Sequence, residues 1–519
     1  MSHTVVPPHT LQSMLGELAT QFASSPALTL GDRTVSFEEL NGSAGRVARA
    51  LSAAGVRPGD RVAILDKNSI EYFELMFGCA AAGAVLVGVN YRLSAREVRT
   101  VVEDSRPVLL FVSPELDHLV GDLHVAGSTP GVVHLGENFD AWCRVENPAV
   151  DASVQPGEND VVLQMYSSGT TGLPKGAMLT HRNLSFTPMM GREFYGMSAN
   201  SVNLLTSPLF HIGGAGYGLT TFGQGGHTVL VRDFVAANVL ADIERHRVTN
   251  MFLVPATIDM LITESVQRQS DLSSLEMIAY GGAPITTRQL ERAVSVLGCG
   301  FMAVYGMTEA AGTVACLSAK DHAPGGGLLG SIGLPLPWNE IKIIHAESGC
   351  EVEPGAVGEL CVRSGQTMAG YWNQPEITRA TIDDDGWLHT GDAALRNADG
   401  YLFIKDRLKD MIISGGENIY PIEVENVLME HPHVCEVAVI GIPHAKWGET
   451  VRACIVPAAG HVLAEAEVIE FCRARLARYK CPTSVEFLTA LPRNASGKIL
   501  KRVLRDMSER VDAAAQACS

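Results

Sequence analysis

Between about residue 10 and residue 265, amphipathic stretches alternate with short apolar runs such as Arg61 to Leu65 (RVAIL), Val108 to Val112 (VLLFV) and Thr228 to Val231 (TVLV). Short apolar runs alternating with amphipathic helices predict βαβ units on largely parallel sheets with helices on both faces. The uncharged stretch from Leu75 to Val89 (LMFGCAAAGAVLVGV) contains three glycines and is too short to span a bilayer. It reads as a helix end, a turn at Gly83 and a buried strand. Strands then become more frequent: Glu340 to Ile344 and Gly358 to Arg363 predict a smaller, twisted β region before residue 405.

After Lys409 the pattern changes again. Pro421 opens an acidic helix (IEVENVLMEH), the strands VCEVAVIGI and VRACIVP follow, and Val468, Ile469, Cys472, Leu476 and Tyr479 fall at helical spacing on one face. A last strand, SVEFL, leads into LPRNASGK. The expected fold class is α/β. A large N-terminal domain, residues 1–408, carries parallel-sheet βαβ subdomains and a twisted β subdomain, and a small α+β domain, residues 409–519, follows a joint near Lys409.

Composition narrows the partners. With 40 basic and 57 acidic residues the formal charge is −17, which argues against nucleic acid or an anionic membrane as partner. The 11 cysteines include no CxxC pair, which favours unpaired thiols in a reducing cytoplasm over disulfides or a metal site. The N-terminus lacks the basic and apolar regions of a signal peptide. The expectation is a cytoplasmic protein without integral membrane association; a homodimer is left open.

The stretch from Tyr166 to Gly176, YSSGTTGLPKG, carries the chemistry. Backbone N–H groups and hydroxyls of such a loop converge on phosphate oxygens, and Lys175 adds a mobile cation. It is not a Walker loop, because Gly176 and not a hydroxyl residue follows the lysine. The string resembles the phosphate loop of the adenylate-forming superfamily, which includes acyl-CoA synthetases, peptide-synthetase adenylation domains and firefly luciferase. The resemblance continues in order through Tyr305 to Glu309 (YGMTE), Gly386 to Asp392 (GWLHTGD), Asp406 to Glu417 (DRLKDMIISGGE) and Pro492 to Lys498 (PRNASGK).

This resemblance implies a two-step reaction. A carboxylate attacks the α-phosphate of ATP to give an acyl-adenylate and pyrophosphate, and a thiol then displaces AMP. By resemblance, Ser167, Ser168, Gly169, Thr170, Thr171, Gly172 and Lys175 cradle phosphates. Gly281, Gly282, Ala283, Tyr305, Gly306, Met307 and Thr308 border the adenine. Asp392 and Arg407 meet the ribose or phosphate, and Glu309 holds Mg²⁺. Lys498 bridges carboxylate and α-phosphate. His211 orients the acyl carbonyl, with Ile212, Gly213, Gly214, Val254 and Pro255 along an apolar acyl pocket. Ser414, Gly415, Gly416, Trp447 and Tyr479 mark the path of coenzyme A, and Lys409 is the hinge of a mobile small domain.

The pocket segments are apolar and glycine-rich, so the resemblance implies a fatty, aryl or alicyclic acid. YKCPTS departs from the family by placing Thr483 where a basic residue often meets the coenzyme's phosphates; Arg473, Arg475, Arg478 and Lys480 stand nearby in sequence. That departure leaves a free amine open as acceptor, and a carrier protein is a further alternative. A luciferase-type oxygenase and a non-catalytic acyl or nucleotide sensor fit the residues less well, since a sensor has no use for Lys498.

Overall fold

The computed structural model describes residues 10–121, 130–144, 155–167, 174–283, 285–322, 327–345, 348–415, 417–444, 446–493 and 499–517. The chain forms two compact units, one of Met1–Glu340 with Val362–Leu388, the other of Ile341–Cys361 with His389–Ser519. The chain thus passes between units more than once, whereas the sequence reading places a single joint near Lys409.

Two large sheets organise the first unit. One runs parallel through Arg61–Leu65, Val85–Val89, Leu109–Val112, Gly131–His134 and Val161–Ser167. At its edge Lys175–Thr180 returns antiparallel, followed by the short strand Gly370–Tyr371. The other is parallel from Pro26–Leu30 through His227–Leu230, Val202–Leu205, Asn250–Leu253 and Met277–Gly281 to Gly300–Met307. Antiparallel strands Arg33–Ser36 and Gly312–Leu317 flank this run. Crossover helices such as Phe37–Ala53 and Ile70–Ala82 bury their apolar faces in a core whose centre is the rings of Phe37, Phe73, Phe77 and Phe222.

The stretch Leu75–Val89 divides as expected. A helix ends at Ala82, Gly83 closes it in the left-handed region at φ 69°, and Val85–Val89 is fully buried. Glycine takes that φ without the Cβ penalty of other residues.

In the second unit a four-stranded sheet orders Glu340–Ile344, Gly358–Arg363, Leu388–Arg396 and Leu402–Arg407, with the ends of three of these strands reaching into the first unit's limits. A further sheet is built on the long antiparallel pair Val434–His444 and Gly448–Pro457, with Ser484–Phe487 added in parallel. Helices Pro421–Met429 and Glu465–Arg473 fill one core, and Leu504 of helix Lys501–Ala517 joins another. Here the sequence reading needs a correction. The helix with Val468 and Cys472 stops at Arg473; Ala477 is extended, and Tyr479 lies on a separate 3₁₀ turn, Arg478–Lys480. Pro482 shortly after disfavours helical backbone at Cys481, which takes φ −69°, ψ 141°.

Candidate active site

In the first unit the strands Val161–Ser167 and Lys175–Thr180 pair with Ser167 opposite Lys175, so the two ends of the Gly/Ser/Thr loop are held together. The Tyr166 hydroxyl donates to Asp104 (2.5 Å) and accepts from Gln164 (3.0 Å), which fixes the incoming strand. Ser168, Gly169, Thr170, Thr171 and Gly172, and the side chain of Ser167, lie outside the described residues.

Lys175 and Glu309 meet through a residue the sequence reading missed. The Lys175 ammonium sits 5.2 Å from the centre of the Tyr371 ring, and the Tyr371 hydroxyl donates to Glu309 Oε1 at 2.7 Å. Glu309 is the middle residue of a 3₁₀ turn, Thr308–Ala310, just past the strand Gly300–Met307; its side chain is buried, and its backbone carbonyl accepts from Met368 N–H at 2.8 Å. Burial, and next the negative charge of Glu309, push the Tyr371 pKa up, so its phenol remains a donor. A buried carboxylate that accepts from a neutral donor suits Mg²⁺, which takes one or two protein carboxylates and completes its shell with phosphate oxygens and water. Tyr371 escaped notice because its strand has two residues and pairs with sequence nearly two hundred positions away, Tyr371 opposite Ala177. The only local signal was the Gly-Tyr-Trp string itself.

The adenine candidates sit at the ends of adjacent parallel strands, with Gly281 opposite Val304. A Cβ on Gly281 would strike the Val304 carbonyl, and one on Gly306 would strike the Gly312 carbonyl at a register shift in the antiparallel pair. Sheet packing alone therefore demands glycine at both positions. Gly282 adopts φ 78°, which disfavours any side chain, and it is exposed together with Ala283. Tyr305, Met307 and Thr308 are half-buried near the same strand end.

His211 caps the helix Ile212–Phe222 without a side-chain capping bond, and its Nε2 is buried with no partner among the described residues. Burial, reinforced by the positive charge of Arg92, lowers its pKa to about 4. The imidazole is neutral at pH 7, in keeping with an orienting group. Ile212 approaches Gly312, Gly213 faces Phe252, Gly214 packs on the Pro208 carbonyl, and Val254 stands 3.7 Å from the Cβ position of Gly282. Pro255 is the first residue of the helix Pro255–Arg268. These candidates line one region of the first unit.

In the second unit Asp392 and Arg407 are register partners on neighbouring strands, joined by a 2.8 Å ion pair from Arg407 Nε to Asp392 Oδ1. On the same strand as Asp392, His389 Nδ1 lies 3.0 Å from Glu359 and 3.6 Å from Cys361 Sγ, which ties it to its neighbour. Lys409 is the exposed middle residue of a single 3₁₀ turn, Leu408–Asp410. Ser414 pairs with Gly448, and the Gly415 N–H donates to the Trp447 carbonyl at 2.8 Å. Gly415, at φ 62°, lies so close to the indole that a Cβ would sit 2.9 Å from it. Ser414, Gly415 and the exposed Trp447 therefore form one surface, while Tyr479 stands on its own turn beside Lys480, which pairs with Glu423 at 2.7 Å. Of the other basic residues near YKCPTS, Arg473 pairs with Glu470 and Arg475 with Glu430. Thr483 links two strands through Thr450 and the Val451 carbonyl.

Gly416 and Lys498 are outside the described residues. The segment that carries Lys498 is closed at its base by an antiparallel bridge between Arg493 and Ile499 and by Leu500 N–H on the Pro492 carbonyl at 2.8 Å. Immediately beyond, Lys501 makes a 2.8 Å ion pair with Glu425, and Arg505 a 2.9 Å pair with Asp410.

The model for "AMP-binding enzyme" matches residues 16–372 and that for its C-terminal domain matches residues 423–498. The chain belongs to the AMP-binding enzyme family, whose members adenylate their substrates. Within it, the chain is an AMP-forming acid–thiol ligase. It is 41% identical over 492 residues to fatty acid–[acyl-carrier-protein] ligase ScoC of Streptomyces coeruleorubidus, covering 93% of each chain. It is 42% identical over 484 residues to feruloyl-CoA synthase of an Amycolatopsis species, covering 92% of this chain and 95% of that one. Among solved structures it resembles o-succinylbenzoate CoA synthetase of Bacillus subtilis in complex with its acyl-adenylate, with TM-score 0.85, 33% identity and coverage of 95% and 97%. The large N-terminal and small C-terminal architecture is shared with that enzyme. Among the described residues no helix is long and apolar enough to cross a membrane.

Proposed function

We propose that this ligase activates an apolar fatty, aryl or alicyclic carboxylic acid with ATP and passes the acyl group to the thiol of coenzyme A. The observation that carries the reading is the contiguous set of Lys175, Tyr371 and Glu309, a cation and a buried carboxylate joined by a phenol at the mouth of a Gly/Ser/Thr loop. In the first step a carboxylate oxygen bonds to the α-phosphorus and the bond to pyrophosphate breaks. Lys175 and the loop would neutralise the departing phosphates, and Lys498 the charge gathering between carboxylate and α-phosphate. Glu309 would hold Mg²⁺, which would supply charge neutralisation on the phosphates. Asp392 would accept from the ribose hydroxyls while Arg407 holds it in place. In the second step the thiol sulfur bonds to the acyl carbon, AMP leaves, and the thiol proton passes to solvent.

Gly415 and Trp447 offer a flat, exposed surface for the pantetheine arm. A carrier protein is the second reading of the acceptor. Its thiol is borne on the same pantetheine arm, the fatty acid–[acyl-carrier-protein] ligase is named for it, and Arg473, Arg475 and Lys480 near Thr483 are already paired with acids. The test is incubation with ATP, Mg²⁺ and a panel of acids, following pyrophosphate first and thioester second. Lys498→Ala should lose about 10²–10³ in adenylation rate while thioester formation from a supplied adenylate survives. Equal loss in both halves would refute the role given to Lys498.

A further inference from the structure

The helix Ile212–Phe222 carries a second buried polar atom with no partner among the described residues, the phenol oxygen of Tyr217. Native proteins rarely leave a buried hydroxyl unpaired, because its bonds to water have been given up for nothing. Its surroundings are aromatic. The Tyr217 ring lies 5.5 Å from that of Tyr195 and 5.7 Å from that of Phe252, while the Tyr195 hydroxyl is already bonded to Thr313 at 3.0 Å.

The glycines of this helix add an independent observation. A Cβ on Gly214 would strike the Pro208 carbonyl, on Gly216 would come within 3.2 Å of Ile212, and on Gly218 within 3.1 Å of Phe73. Packing demands glycine at 214, and at 216 and 218 a Cβ would need a neighbouring side chain to give way. At Gly213 the nearest atom would be the Phe252 ring at 3.5 Å, an ordinary contact. Gly213 stands one turn before Tyr217 on the same helix face. The protein's own packing would tolerate alanine there, yet the position is bare, next to the Phe252 ring that Tyr217 also touches.

The geometry points to a substrate class: an acid with a flat apolar body and a hydrogen-bonding oxygen at its far end, which the Tyr217 hydroxyl recognises while Gly213 leaves room for a ring. Ring-hydroxylated or ring-carbonyl aryl acids with a short side chain fit this description, and plain fatty chains do not. Six residues of helix separate His211 from Tyr217, a rise of about 9 Å. This axial rise sets the scale of the distance between carboxylate and far oxygen. 4-Hydroxycinnamate nearly fills that span. This inference rests on the proposed function for the identity of the pocket.

The test compares pyrophosphate release from 4-hydroxycinnamate, cinnamate and octanoate by the full chain with ATP and Mg²⁺, in the parent and in Tyr217→Phe. The parent should favour 4-hydroxycinnamate over cinnamate by about tenfold in kcat/KM, the worth of one good hydrogen bond, and the variant's ratio should fall toward one. Without acid, Tyr217→Phe should melt no lower than the parent, since its phenol makes no protein bond to lose. An unchanged ratio in the variant, a variant that melts lower because the phenol is already bonded, or a parent that prefers octanoate, overturns the inference and leaves acid activation standing. Pyrophosphate from none of the three acids, nor from any acid of the wider panel, sinks the proposed function and the inference with it.

Discussion

Replacing Lys501 by methionine would expose how the lysine loop is held. Lys501 and Glu425 are 15% and 18% exposed and pair at 2.8 Å, and Glu425 also accepts from the Val439 N–H at 2.8 Å. Burial raises the Glu425 pKa above its usual range even with the lysine present. Removing one partner of a buried pair costs about 3–5 kcal/mol. A second route to the magnitude is that the abandoned carboxyl escapes by taking up a proton. Protonating an ordinary glutamate of pKa about 4.3 at pH 7 costs about 3.7 kcal/mol, and at pH 5 about 1 kcal/mol.

A carboxyl whose folded pKa is raised keeps its stability below the unfolded pKa and loses it as pH rises through the folded value. Lys501→Met should therefore destabilise the second unit by about 3–4 kcal/mol at pH 7 and by only about 1 kcal/mol at pH 5. Trp447 is the only tryptophan of that unit, so the ¹⁹F signal of fluorotryptophan at this position reports its unfolding in urea. Adding Glu425→Gln should restore most of the loss while keeping an acceptor for Val439. A loss independent of pH, or one that the second substitution fails to relieve, would mean that packing and not an orphaned charge is at stake.

Glu309→Gln should require more Mg²⁺ for half-maximal adenylation, because it removes the carboxylate charge while keeping an acceptor for Tyr371; an unchanged magnesium titration refutes the ligand role. His211, with a pKa near 4, stays neutral above pH 6.5 and costs stability only as pH falls from there toward 4. His211→Phe should accordingly flatten the melting temperature across that window without shifting the acid limb of kcat/KM, and a shifted limb would make the imidazole a titrating catalyst. Lys409→Pro suits the φ of a 3₁₀ turn and should leave adenylation largely intact while acyl transfer falls by about 10²-fold or more, the scale of a blocked positioning step; unimpaired transfer in single-turnover assays puts the hinge elsewhere.

What was legible in the sequence follows from how far each interaction reaches. Arg61–Leu65 and the split of Leu75–Val89 were readable because apolar runs and a left-handed glycine act over a few residues. The helix from Val468 was overextended because spacing kept a helical phase past Arg473, where the backbone had already turned extended at Ala477. Tyr371 was missed because its meaning arises only when a two-residue strand reaches Lys175–Thr180. The acid partners of Lys501 and Arg505 were not legible because pattern alone does not reveal a carboxylate waiting on another element. The glycines at positions 281 and 306 were noticed for a ligand's sake, while the structure gives them a packing reason of their own.

The bridge between Arg493 and Ile499 has a kinetic consequence. Ile499, the residue after Lys498 in the sequence, is bridged to Arg493 and packed on the core with Ile440 and Leu504, so this position travels with its own unit. If the small domain rotates between half-reactions, the arrival of the lysine is timed by that rotation, on the microsecond-to-millisecond scale of collective motion. Adenylation would then slow in viscous solvent in step with rotational drag, like a clock whose escapement is the body of the domain.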